Sequence, residues 1–146
     1  NYKFLSPNKF LTSGGLGAMG FSMGAAIGSH FATGGKQLII TGDGSFNMNF
    51  NELLTCVKYH IPVIIVVLNN NSLGLIRLLQ YGRKSKGYMA SSLYLNTDYV
   101  KLAESMGARG IVINETDDIN EKLTEALNGS LPVVIDCRIS INEGIH

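Results

Sequence analysis

The sequence predicts an α/β domain in three layers, α/β/α, around a mainly parallel sheet. Three observations lead there. Short runs that are apolar along their whole length alternate with segments of helical periodicity. The runs are about strand length, the longest being Val63 to Leu68, and too short to span a bilayer. Two of them end in polar clusters that suit the carboxyl edge of a parallel sheet, where α/β domains bind ligands.

The elements follow in order. Gly14, Gly15, Gly17 and Gly20 open a small-residue segment with a helix expected over 24–32, stopped by Gly34 and Gly35. Gln37 to Thr41 is a buried strand that runs into Gly42-Asp43-Gly44-Ser45. Phe50, Leu53, Leu54 and Val57 share one helical face, predicting a helix over 49–60 closed by Pro62. Val63 to Leu68 is a second buried strand, rich in β-branched residues, ending at Asn69-Asn70-Asn71. A short helix is expected over 73–80, then a mobile loop over 81–96. Asp98 caps a helix through Met106, and Ile111 to Ile113 is a strand. Asp117 or Asp118 starts a helix through Leu127, and Pro132 to Asp136 is the last strand. Right-handed crossovers are expected.

Bulk properties narrow the function. The 146 residues fit one domain, 45% apolar and 16% charged, which is globular and excludes a disordered chain. The net charge of +1 gives no basic surface for nucleic acid or a membrane. Cys56 and Cys137 lack metal-ligand or CxxC spacing and read as reduced thiols of a cytoplasmic protein. The chain reads as a single domain over 1–146, a C-terminal fragment of a longer enzyme.

If the strands ending at Gly42 and Leu68 are neighbours, one carboxylate, one amide oxygen and a backbone carbonyl meet at one edge. With phosphate oxygens and waters, that set suits an octahedral hard cation such as Mg²⁺. Glycines let the backbone approach the phosphates, and a helix starting near Phe46 would aim N–H groups at them. Either cluster alone is more simply a capping turn or a loop; the pair, each at the end of a buried strand, is not.

The segment from Gly42-Asp43-Gly44 to Asn69-Asn70, with Asn70 lying 27 residues after Asp43, resembles the signature of thiamine diphosphate enzymes. The resemblance implies the thiamine diphosphate-binding fold. It implies Mg²⁺ ligands in the Asp43 and Asn70 side chains and the Ser72 main-chain oxygen, and cofactor contacts at Gly42, Gly44, Ser45, Gly74 and Leu75. Thr12 to Gly20, Leu68 to Arg77 and Pro132 to Arg138 are similar to acetolactate synthase large subunits. By that likeness Gly17 accepts a bond from the cofactor's 4′-amino group, Met19 holds the cofactor bent, and Leu75, Ile76 and Leu79 wall a substrate pocket. Arg77 or the Arg83/Lys84 loop is a candidate for a substrate carboxylate, with a solvated surface role equally open.

The implied function is decarboxylation of pyruvate and carboligation to a second 2-oxo acid, a transferase activity of branched-chain amino acid biosynthesis. A homodimer or tetramer is implied, acting on small 2-oxo acids, without nucleic acid or membrane partners. FAD, where the full-length enzyme uses it, belongs to an absent middle domain. The glutamate that such enzymes place on the cofactor pyrimidine has no candidate here, so no catalytic residue is assigned and the isolated chain is expected to be inactive. Two departures stand out: Ser22-Met23-Gly24, or Met23-Gly24 alone, stands where the family usually has Leu-Pro, and no Trp occurs near Leu79. Another thiamine diphosphate decarboxylase, oxidase or lyase therefore remains open, as does a Mg²⁺-dependent phosphate- or nucleotide-binding module. For the last, Gly15-Leu16-Gly17-Ala18-Met19-Gly20 matches G-x-G-x-x-G by letter but lacks the strand before it and the acid after it.

Overall fold

A computed structural model describes residues 7, 9–83, 87–93 and 97–142. Lys84 and His146 lie outside them.

Four parallel strands form one sheet: β1 (Gln37–Gly42), β2 (Val63–Asn69), β3 (Arg109–Ile113) and β4 (Val133–Arg138). Their spatial order is β1-β2-β4-β3. Each expected strand is present: β1 and β2 run one residue further, β3 starts two residues earlier, and β4 starts at Val133 instead of Pro132 and runs two residues further. The helices are α1 (Phe21–Thr33), α2 (Asp43–Phe46), α3 (Leu53–Lys58), α4 (Gly74–Gly82), α5 (Tyr99–Ser105) and α6 (Ile119–Leu127). Gly34, at φ 68°, ends α1 and returns its N–H to the His30 carbonyl. Asp98 caps α5 by accepting from the Lys101 amide, and Asp118 caps α6 by accepting from the Asn120 and Glu121 amides.

The strict alternation of strand side chains sorts the core into two layers. Ile39, Val63, Ile65, Val67 and Val134 face α1, α2, α3 and α5 through Met23, Phe46, Leu53, Cys56 and Ala103. Ile64, Ile111, Ile113, Val133 and Ile135 face α6 through Ala126 and Leu123. The three-layer arrangement is therefore present, with one exception to full coverage. Leu38 and Ile40 of β1 are 62% and 66% exposed. They share the α6 side of the sheet, where α6 packs on β3 and falls short of β1.

Two further expectations are corrected. The helix predicted over 49–60 is a 3₁₀ turn (Phe50–Glu52) followed by α3. Asn49 has φ −151°, outside the helical region, and its side-chain amide is committed to the Gly20 carbonyl, so helical periodicity does not extend through it. The segment 81–96 is not one loop: Tyr81 and Gly82 finish α4, and residues 91–93 pair with the turn after β2.

Both cysteines are free. Cys56 is fully buried, and burial, with Glu52 nearby, pushes its thiol up to about 11. Alkylation of the native protein at neutral pH should leave Cys56 unmodified and label it only after unfolding, as peptide mass mapping would show. Among the described residues no helix is long and apolar enough to cross a membrane.

Candidate functional site

β1 and β2 are direct neighbours, and Gly42 pairs with Leu68. The two polar clusters thus leave the sheet side by side at its carboxyl edge. Gly42 is still extended, at φ −80° and ψ 158°, and Asp43 begins α2 at once. That helix starts three residues before Phe46 and lasts four residues, so the longer helix expected to aim N–H groups at phosphates from Phe46 is absent.

Asp43 is 2% exposed. Its Oδ1 accepts from the Gly44 amide at 2.7 Å, while its Oδ2 is buried without a hydrogen-bond partner. Burial raises the carboxyl above its ordinary range, and the amides of Gly44, Asn71, Ser72 and Asn70 pull in the opposite direction. The last three belong to the turn after β2, which places the Asp43 carboxylate against that turn. A buried acceptor left open in this way is costly unless something positive fills the gap.

The turn itself is built from side-chain oxygens. Asn69 Oδ1 accepts from the Asn71 amide at 3.2 Å, and Asn70 Oδ1 from the Ser72 amide at 3.1 Å. Asn71 sits at φ 53°, a left-handed conformation that Asn tolerates. Asn69 also donates to Asp136 Oδ1 at 2.8 Å, and Asp136, itself buried, accepts from Arg138 Nε at 3.2 Å. That network ties β2 to β4 just beneath the turn. Gly74 opens α4 against Asn70: a Cβ there would stand 3.0 Å from Asn70 Nδ2.

The glycine-rich segment folds onto the same place. Gly20, at φ 84°, donates its N–H to Ser45 Oγ at 2.8 Å. Its carbonyl accepts from the Asn49 amide. A Cβ on Gly44 would come within 2.5 Å of Leu73 Cδ2 and 3.3 Å of Met19 Cε. Met19 and Leu73 therefore close over Gly44, and a Cβ there would force the end of the Leu73 side chain to shift.

The structure brings Met19, Asp43, Gly44, Ser45, Asn70, Ser72 and Gly74 together. Gly17, at φ 63°, lies on an exposed turn with open space around its Cα. Leu75, Ile76 and Leu79 are 70%, 43% and 50% exposed on α4, so this chain alone does not enclose a pocket around them. The Arg77 guanidinium lies 3.5 Å from the Tyr88 ring centroid and donates to Asn142 Oδ1, while its Nε is buried without a hydrogen-bond partner. A cavity lined by Asn69, Asn71, Thr97, Asp98, Arg138 and Ile139 lies beside the turn and includes none of the expected pocket residues.

The sequence reading missed Asn49, Leu73 and Ser91. Asn49 had a signal, a polar residue just before an apolar helical face, but its partner lies 29 positions away. Ser91 acts through its main-chain oxygen, which leaves no mark in a sequence. Tyr99 is a supporting residue: its hydroxyl donates to Asn47 Oδ1 at 3.0 Å, and burial raises its pKa, so it serves as a donor. Tyr99→Phe should destabilise the fold by about 1 kcal/mol, read from the denaturation midpoint.

The residues fit a hard divalent cation. Among the described residues no group of three or more His, Cys, Asp or Glu is placed to hold a metal. The site therefore matches neither a zinc cluster nor an acid-rich calcium site. One carboxylate with an open oxygen, beside amide and main-chain oxygens, is the set Mg²⁺ takes when phosphates complete its shell.

Comparison with known proteins gives the same picture. The family described as thiamine pyrophosphate enzyme, C-terminal TPP binding domain, matches residues 1–137. An acetolactate synthase large subunit of Buchnera aphidicola subsp. Schlechtendalia chinensis is 40% identical over 99% of the chain and 26% of that protein. The isozyme 3 large subunit of Escherichia coli K12 is 41% identical, with the same coverage. A solved structure, the thiamine diphosphate-dependent 4-hydroxybenzoylformate decarboxylase of Rhodococcus jostii RHA1, superposes with a TM-score of 0.77 at 30% identity. It covers 85% of this chain and 24% of that one. The chain thus spans about a quarter of the length of the curated relatives it matches.

Proposed function

The chain belongs to the thiamine pyrophosphate enzyme C-terminal binding domain family, and on that premise we propose that it is the diphosphate- and Mg²⁺-holding domain of an acetolactate synthase. The observation that carries the site assignment is the buried Asp43 carboxylate, with one oxygen open, set against the Asn70–Ser72 turn. Asp43, the Asn70 side-chain oxygen and the Ser72 main-chain oxygen hold the ion. Gly42, Gly44, Ser45, Gly74 and Leu75 line the cofactor, and Gly17 and Met19 meet its pyrimidine end. When bound, thiamine diphosphate supplies the electron sink that lets a 2-oxo acid lose CO₂ and its remaining carbons join a second 2-oxo acid.

What this chain contributes is position and electrostatics. Asp43 supplies the fixed negative charge that holds the ion, and its burial excludes water from that charge. The Met19 side chain, held over Gly44, would meet the pyrimidine end of the cofactor. Ile76 and Leu79, exposed on α4, become substrate-pocket walls once the remainder of the enzyme covers them. No catalytic group is assigned within residues 1–146; a glutamate from another domain completes the site, in a cytoplasmic homodimer or tetramer that acts on small 2-oxo acids.

Leu79, with no Trp in the chain, favours a second reading, in which the parent enzyme is a 2-oxo acid decarboxylase. The test uses the full polypeptide that carries this domain. Calorimetry should show thiamine diphosphate binding only with Mg²⁺ present, and no binding of ATP or NAD. Incubation with pyruvate should yield acetolactate as the main product. Acetaldehyde as the main product would shift the assignment to the decarboxylase, and binding of ATP or NAD alone would overturn the site.

A further inference from the structure

We propose that residues 88–93 are a positioning strut for the metal turn, which fixes the direction of the Ser72 main-chain oxygen through the Ser72–Ser92 antiparallel bridge and is itself fastened to α4 by Gln80 and Arg77. The inference rests on the assignment of Asp43, Asn70 and Ser72 to a divalent ion.

Asp43 and Asn70 would ligate through side chains whose direction the strand ends set. Ser72 would ligate through its backbone, and a backbone oxygen is aimed by the hydrogen bonds of its neighbours. The Leu73 amide donates to the Ser91 carbonyl at 2.7 Å, and the Leu93 amide donates to the Asn71 carbonyl at 2.9 Å. Ser72 and Ser92 are the bridged pair between these two bonds. In antiparallel pairing the residue at such a position turns its own N–H and C=O away from the partner strand. The Ser72 amide does so, donating to Asn70 Oδ1 at 3.1 Å. In that pairing its carbonyl shares the side of its amide, which acts on the Asp43 carboxylate. The Ser72 hydroxyl adds a third tie, donating to the Ser91 carbonyl at 2.8 Å.

The strut is anchored in turn. Gln80 of α4 uses both ends of its amide on the Met89 backbone: Nε2 donates to the carbonyl at 2.8 Å, and Oε1 accepts from the amide at 3.1 Å. One turn earlier on α4, the Arg77 guanidinium stacks on the Tyr88 ring. Gln80 is half-buried and Tyr88 exposed, so neither belongs to the core. Their contacts hold this segment against α4.

The experiment uses the full polypeptide with saturating thiamine diphosphate and Mn²⁺ as a paramagnetic probe of the Mg²⁺ site, titrated by electron paramagnetic resonance. Gln80→Ala and Tyr88→Leu should each weaken Mn²⁺ binding about tenfold, the size typical of groups that orient metal ligands. Tyr88→Phe, which keeps the ring beneath Arg77, should stay within about twofold of the parent protein. The thermal midpoint of the metal-free protein should stay near the parent value in all three. Unchanged Mn²⁺ affinity in Gln80→Ala and Tyr88→Leu would overturn the proposal, as would a fall in the metal-free midpoint that accounts for the weakened binding. Should Gln80→Ala fail to fold, Gln80→Glu keeps the bond from the Met89 amide, and an intermediate loss of affinity is then required. A parent protein that binds no Mn²⁺ would instead sink the metal-site assignment itself, before any variant is compared.

Discussion

Asp43→Ala should weaken Mg²⁺-dependent cofactor binding by at least about a hundredfold, because it removes the one carboxylate of the proposed ligand set. Asn70→Ala, which removes a neutral oxygen, should cost less, on the order of tenfold. Asp43→Asn separates charge from shape, since it keeps the size of the side chain. In the metal-free protein it should raise the thermal midpoint, because the carboxylate it replaces is buried with one oxygen unpartnered. The pH dependence follows from the same burial. Asp43 has a raised pKa in the fold, so its protonated form stabilises the metal-free protein below the unfolded carboxyl pKa. That contribution is lost as pH rises through the raised folded value. The stabilising effect of Asp43→Asn should therefore be small in acid and grow toward neutral pH. With Mg²⁺ and cofactor present the order should invert, since ligand stabilises the parent by mass action and not the variant. Thermal melts of both proteins across pH, with and without ligand, check each arm. Equal ligand stabilisation of parent and Asp43→Asn would remove Asp43 from the metal.

Gly110→Ala should be the most damaging small substitution for the fold. Gly110 lies in β3 beneath α5, and a Cβ there would stand 2.6 Å from Val100 Cγ1 and 2.7 Å from Val100 Cα. The second contact is with backbone, so no side-chain rotation relieves it. Helix α5 would have to lift from the sheet, exposing Tyr99 and Ala103, which are 2% and 1% exposed. A cost of about 3 kcal/mol is expected, at the upper end of overpacking effects. In a domain of this size that lowers the melting midpoint by roughly 6–12 °C. Gly44→Ala is a useful contrast. Its nearest contact is the end of the Leu73 side chain, which can move, so stability should change less. Leu73 adjoins Ser72, a proposed metal ligand, so its displacement should show in cofactor affinity instead. Calorimetry and thermal melts on the two variants separate the effects: Gly110→Ala mainly in stability, Gly44→Ala mainly in binding.

Much of this was legible in the residues because burial leaves a local trace. The central parts of strands covered on both faces, Val63 to Val67 of β2 and Val133 to Ile135 of β4, are apolar at every position, and such a run is visible without knowing the partner strand. The caps at Asp98 and Asp118 are legible for the same reason, since a capping side chain acts within three residues of itself. Asp43 and Asn70 were legible as polar residues at the ends of apolar runs, where nothing local requires them.

Other features had no local trace. That β4 lies between β2 and β3 depends on which strand backbones pair, and every residue carries the same N–H and C=O groups. Asn49, at the start of the helix expected over 49–60, reaches back to Gly20, and the strut depends on the Ser91 carbonyl meeting Leu73 and Ser72. The open β1 face is likewise a matter of how far α6 reaches. By itself the sequence determined most of the elements, the two strand tips and the side chains they carry. The tertiary structure alone decided that the tips are adjacent, that the Asp43 oxygen is left open, and which segment holds the turn. The difference is physical: side-chain chemistry and periodicity are written residue by residue, whereas register and backbone bonding exist only once distant segments meet.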